Sequence, residues 1–231
     1  MSDAQLELAA VILGPILDEV VFVGGATVHL WLTDAAAPPV RATDDVDVIC
    51  DVQSRVDYYA LSDQLRERGL EESLAEPVLG RWRHTDTGLA IDVIPINADV
   101  LGFTNPWYGV AIATAAEQTL ESGRTIRAVI PPVLVATKLA AWRGRGGGDI
   151  LRSLDVQDIL VLVNGRPELT DELAAQDADL RAYVHAEISA LREDTYFEYA
   201  VQDAVHGYGS VMHERAETVR RRVDQLTERL G

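Results

Sequence analysis

The chain has 231 residues, 48% apolar and 25% charged, with a formal net charge of −17. That length buries a substantial core as one large domain or two small ones. The acid excess argues against an extended nucleic-acid footprint, which would need a basic face, and fits either plain solubility or a basic partner protein.

No apolar run reaches the length of a membrane span. The first ten residues, MSDAQLELAA, read as acidic and amphipathic rather than as a secretory signal. The single Cys50 rules out an intrachain disulfide framework and points to a reducing, cytoplasmic setting, with Cys50 itself a small core residue.

Residues 4–18 carry apolar side chains at helical spacing, from Leu6 to Leu17, with Asp3 placed to cap the start. A short apolar strand, Val20 to Val23, follows. Gly24 and Gly25 then open a helix running to about Thr33. Free N–H groups at a glycine-led helix start suit phosphate. The segment Asp34 to Thr43 holds three alanines and Pro38-Pro39, so regular structure is excluded and a flexible flap is expected.

The next run, Asp45 to Cys50, alternates Asp45 and Asp47 with Val46 and Val48. Strand side chains change face at each residue, so the two carboxylates point the same way and Asp44 points away. Two adjacent carboxylates repel unless a cation sits between them. A metal pair beside a phosphate cradle is a site for handling a nucleoside triphosphate.

Ser54 caps a helix from Arg55 to about Arg68, ended by Gly69. Arg81 to His84 and Leu89 to Pro95 read as a hairpin around Asp86-Thr87-Gly88. Asp92 is the one charged residue of its apolar arm. Two readings stand: a salt bridge to Arg81 or Arg83 across the hairpin, or a third metal-facing acid beside Asp45 and Asp47. The opening motif favours the second.

Residues 98–113 read as a loop in which Trp107 and Tyr108 pack locally or stack on a base. Extended stretches follow at Ala116 to Leu120 and Thr125 to Ile130. Pro131 and Pro132 then start a helix. Strand signals stop there, and helices are expected near 150–164, 167–174, 177–193, 195–205 and 210–229. Arg220 to Arg222 read as a solvated helix face. His29, His84, His185, His206 and His213 show no metal-ligand spacing.

The second informative stretch runs from Lys138 to Asp158. Lys138 sits in an apolar helix with its stem partly buried, a good counter-ion for a triphosphate. Arg143, Arg145 and the glycines Gly146 to Gly148 form a loop suited to gripping phosphate oxygens, and Asp149 is placed to cap the next helix. Asp155 and Asp158 lie three apart on one helix face, and by spacing alone they read as exposed helix acids.

Taken together, GGATVHLWL at 24–32, TDDVDV at 43–48, IDVIP at 91–95 and the run 138–158 resemble the nucleotidyltransferase family of the AbiEii/AbiGii toxins. That family includes the MenT-type toxins and has the DNA polymerase β-like nucleotidyltransferase fold. The resemblance covers most of the chain, from about residue 20 to the Asn164-Gly165-Arg166 turn.

It implies an α+β fold: a nucleotidyltransferase core at 1–130, a mixed β-sheet flanked by helices, followed by a C-terminal helical bundle at 131–231. It implies that Gly24 and Gly25 hold the triphosphate, Thr27 adds a hydroxyl contact, and Asp45 and Asp47 ligate Mg2+ or Mn2+. Lys138 would contact the phosphates, and Asp155 would be the family's downstream acid with Asp158 beside it. Leu154 stands where the family often has a basic residue, and Gln157 where it often has an acid.

The activity implied is transfer of a nucleoside monophosphate from a nucleoside triphosphate to an acceptor hydroxyl. The acceptor would be RNA, such as a tRNA 3′ end, and the protein the toxin-like half of a pair with an antitoxin protein. The acid excess keeps a second reading open, a transferase acting on an aminoglycoside-like small molecule. A third is a non-catalytic binding protein of the same fold. The site is expected in a cleft between the two halves, bordered by the 34–43 loop.

Overall fold

The computed structural model describes residues 2–73, 80–145, 149–205 and 209–231. Gly146 to Gly148 and His206, singled out above, lie outside the described residues. The fold is α+β, with a seven-stranded mixed sheet, flanking helices and C-terminal helices. The chain divides into two compact units. One holds Met1–Thr27 and Arg41–Ile130; the other holds Val28–Val40 and Pro131–Gly231.

The first unit begins with α1 (Ser2–Leu13), so Asp3 lies inside the first turn rather than capping it. The expected helix to residue 18 breaks at Gly14, which has φ +54° and is followed by Pro15. A 3-10 helix, Gly14–Glu19, continues from there. The open carbonyls at the end of α1 are met by Arg68, whose Nε donates to Ile12 O at 2.7 Å and Nη2 to Val11 O at 3.0 Å.

Strands β1 (Val20–Val23), β2 (Asp45–Cys50), β3 (Leu70–Glu72), β4 (Arg81–His84), β5 (Ala90–Pro95), β6 (Ala116–Thr119) and β7 (Thr125–Ala128) lie in the order β3-β4-β5-β2-β1-β7-β6. The β2–β5 and β1–β7 pairs are parallel and the rest antiparallel. The hairpin predicted at residues 81–95 is present, with Gly88 at φ +72° in its turn. The 3-residue edge strand β3 was not foreseen; it is too short to show a period of two. Helix α2 (Arg55–Glu67) starts as predicted, with the Ser54 hydroxyl accepting from Asp57 N, and Gly69 at φ +76° follows its end. The expected loop at 98–113 contains two short helices instead, α3 (Ala98–Leu101) and α4 (Tyr108–Thr114). Asn97 caps α3, a local signal that four residues of helix are too few to reveal by periodicity. The core of this unit gathers Phe22, Val48, Ile91, Val93, Trp82 and Leu65, all fully buried.

The second unit is helical: α5 (Pro131–Gly144), α6 (Leu154–Gly165), α7 (Leu169–Ala174), α8 (Ala178–Arg192), α9 (Phe197–Val205) and α10 (Gly209–Leu230). Helix α6 packs on α5, α9 and α10. Its N-cap is Ser153, accepting from Val156 N, and not Asp149, which instead accepts from Leu151 N in the preceding turn. At its other end Arg222 Nη1 donates to Val163 O at 3.0 Å and also to Asn164 O. The expected solvated Arg220 to Arg222 run is therefore partly committed to packing, because α6 presents open carbonyls to it. Arg220 pairs with Glu198 and Glu217.

Residues 34–43 have no regular structure, as expected. They are nonetheless anchored: Thr33 N and Asp34 N donate to Gly165 O at 2.9 and 3.0 Å, and Arg215 pairs with Asp34 at 2.6 Å. The Arg215 hydrogen bond holds the Asp34 carboxyl below its ordinary range. Gly165 allows this approach, since a Cβ there would lie 2.7 Å from Leu32 Cδ2.

Candidate active site

The register of three strands assembles an acidic face. Asp47 on β2 stands opposite Asp92 on β5, and Asp92 stands opposite Arg81 on β4. Residues opposed across a ladder share a face. Arg81, Asp92 and Asp47 thus form one row, with Asp45 two residues along β2 on the same side. The Asp-Val-Asp-Val alternation fixes this orientation, because Val46 and Val48 are both fully buried on the other face. Asp44 lies before the strand and is exposed.

The Arg81 guanidinium grips Asp92 as a fork, Nε to Oδ1 at 2.7 Å and Nη2 to Oδ2 at 2.8 Å. The same Nη2 also donates to Asp45 Oδ2. The Asp92 side chain is only 7% exposed and that of Arg81 15%, against 29% for Asp45. A carboxylate at the depth of Asp92 is costly without a partner, and the bidentate arginine offsets that cost. The cross-hairpin pairing of Asp92 is therefore present through Arg81, while Arg83 Nη1 donates to Gly88 O. Asp92 also shares the face of Asp45 and Asp47, its register partner on β2 being Asp47.

Gly24, expected as part of a phosphate cradle, sits against Asp47. It has φ +75°, and a Cβ built on it would lie 1.9 Å from Asp47 Oδ2 and 2.8 Å from Asp47 Cγ. The carboxylate occupies the space a side chain would fill. Gly25 begins a 3-10 helix, Gly25–Trp31, in place of the expected longer helix. Thr27 is fully buried and tightens that turn, its N and Oγ1 both donating to Gly24 O. The hydroxyl expected to meet a ligand serves the backbone here.

Three oxygen-donor carboxylates suit a hard divalent cation such as Mg2+ or Mn2+. The space over Gly24 lets the Asp47 carboxylate lie close to the chain, and the Arg81 fork marks the face as one that takes up positive charge. Among the described residues, no group of three or more His, Cys, Asp or Glu side chains is placed to hold a metal ion, and Asp45 and Asp92 are engaged with Arg81.

A second ionic cluster lies within the helical unit. Lys138 is 8% exposed, and its Nζ reaches Asp158 Oδ2 at 2.7 Å and Asp155 Oδ1 at 3.2 Å. Arg145 Nη1 reaches Asp155 Oδ2 at 2.7 Å. Asp155 and Asp158 are buried, so the exposed-acid reading of this pair is overturned. Spacing alone could not decide it, since burial depends on what α5 brings opposite. Arg143 takes another course, pairing with Glu187 on α8 and stacking over the Trp142 ring at 4.2 Å. Glu187 had no signal in the sequence beyond being one acid among many. A surface cavity of about 340 Å³ opens beside Trp142, Arg145, Arg152 and Asp155.

Cys50 is 1% exposed, and burial pushes its thiol up to about 12. His84 Nδ1 lies 3.0 Å from Thr87 Oγ1 in the hairpin turn. No protein-family model matches the chain, and no curated protein matches it.

Proposed function

We propose that the chain is a divalent-metal-dependent nucleotidyltransferase, similar in activity to the AbiEii/AbiGii toxins. It would move a nucleoside monophosphate from a nucleoside triphosphate to an acceptor hydroxyl. The observation that carries this reading is the placement of Asp45, Asp47 and Asp92 on one sheet face, with Gly24 leaving room for the Asp47 carboxylate.

In this reading Asp45, Asp47 and Asp92 hold Mg2+ or Mn2+. The bound cation would neutralise charge on the phosphate oxygens and lower the barrier to in-line displacement. A bond forms between the acceptor oxygen and the α-phosphorus. The bond from that phosphorus to the bridging oxygen breaks, and pyrophosphate leaves with its electron pair. The acceptor proton passes to a carboxylate of the acid face or to solvent. The protein supplies position and electrostatics rather than covalent chemistry. Lys138 and Arg145 orient Asp155 and Asp158, with their charges committed to those carboxylates.

The test is incubation of the purified protein with α-labelled nucleoside triphosphates, Mg2+ or Mn2+, and total RNA. Transfer of label to RNA that is lost in Asp47→Ala, with folding retained, supports the reading. The net charge of −17 favours a second reading of the acceptor, a cationic small molecule. Label appearing in an aminoglycoside-like acceptor instead of RNA selects it. No label with any nucleotide, metal and acceptor overturns the enzymatic reading and leaves a binding protein.

A further inference from the structure

Arg81 stands in the same row as the carboxylates that would hold the metal. Resting on the reading above, we infer that Arg81 is the resident counter-cation of the acid face, and that a divalent cation binds there only by exchanging with it. Three features of the geometry lead to this. The register fixes Arg81 directly opposite Asp92, so the side chain meets the acids by construction of the hairpin rather than by chance of rotamer. Its guanidinium engages both Asp92 oxygens and also Asp45, so one group bridges carboxylates on two neighbouring strands. Arg81 is 15% exposed and Asp92 7%, so solvent screens the contact weakly.

A cation that binds Asp45 and Asp92 competes for the same oxygens. Each carboxylate oxygen has a limited set of lone pairs, and the fork takes those that face along the row. The exchange also selects by charge. Asp45, Asp47, Asp92 and Arg81 together sum to a formal charge of two negatives. A monovalent ion replacing Arg81 would change nothing electrostatically. A divalent ion would neutralise more of the face, and it is the class of ligand that can drive the exchange. Arg81 thereby keeps the carboxylates from repelling one another when no metal is present, and sets a threshold concentration of divalent ion for loading.

The experiment is Mn2+ titration by calorimetry on the wild-type protein, Arg81→Met and Arg81→Lys, with thermal midpoints measured with and without Mn2+. Removing one competing positive charge should tighten Mn2+ binding ~10- to 100-fold in Arg81→Met. Its metal-free midpoint should fall below wild type, and Mn2+ should raise it more than it raises the wild-type midpoint. Arg81→Lys, which cannot span both carboxylates, should bind Mn2+ with intermediate strength. K+ at equal ionic strength should produce none of these shifts.

A second readout needs no variant. The Arg81 Nε–H resonance of the wild-type protein should move and lose its protection from exchange as Mg2+ is added. Equal Mn2+ affinity in wild type and Arg81→Met, or an Nε–H signal indifferent to saturating Mg2+, overturns the exchange and leaves Arg81 a structural tie. Absence of Mn2+ binding to both proteins at millimolar concentration overturns the metal-dependent reading as well.

Discussion

Replacing Lys138 by Met removes the one lysine of the chain from between two buried carboxylates while keeping a similar side-chain volume. The side chains of Asp155 and Asp158 are 4% and 1% exposed, so water cannot take over the lost ammonium. Breaking a buried ion pair on one side typically costs 3–5 kcal/mol. Asp155 keeps Arg145 at 2.7 Å, and that arginine is itself mostly in solvent. The cost should therefore sit at the low end, about 3 kcal/mol, equivalent to a fall in thermal midpoint of roughly 6–12 °C. Urea unfolding, with amide hydrogen exchange followed across α5 and α6, measures it. The double variant Lys138→Met/Asp158→Asn removes a charge along with its partner and should recover about 1–2 kcal/mol. A single variant within about 1 kcal/mol of wild type, or a double variant no more stable than the single, refutes the cluster as the tie between α5 and α6.

Gly24→Ala combines backbone strain at positive φ, about 1–2 kcal/mol, with displacement of the Asp47 carboxylate. Nucleotide transfer should fall on the order of 100-fold while the protein still folds; unchanged label transfer would mean that Asp47 need not lie over Gly24. At alkaline pH the buried groups of the first unit should weaken folding. Burial pushes both the Cys50 thiol and the Tyr58 phenol up to about 12, from 9.0 and 10.0. Both are neutral when folded, so their contribution is whole below pH 9 and is lost as pH rises from 9 to 12, where the unfolded chain releases protons first. The urea midpoint should drop over that window, and Cys50→Ala should flatten the earlier part of the fall. A flat profile to pH 11 in the wild type would contradict it.

Local sequence was enough for much of the frame. Ser54 with Gly69 bracketed α2, and Asp86-Thr87-Gly88 set the hairpin whose register then puts Arg81 opposite Asp92. The alternation of Asp45 and Asp47 with two valines decided which acids share a face. Each of these rests on residues a few positions apart, where backbone geometry alone relates one side chain to the next.

What only the tertiary structure decided has the opposite character. Gly24 admits the Asp47 carboxylate from a strand 23 residues further along. Arg68 closes the end of α1 from a separation of 56 residues, and Arg222 closes α6 from 59. Val28–Val40 leaves the first unit to pack with the helices, held by Gly165 and Arg215. Lys138, Asp155 and Asp158 have unremarkable spacing, and become a buried cluster only because α5 and α6 bring them face to face. The physical reason is the same in every case. Periodicity and caps report which way a side chain points, whereas its burial and its partner depend on which distant segment arrives opposite it, and that is settled by packing of the whole unit.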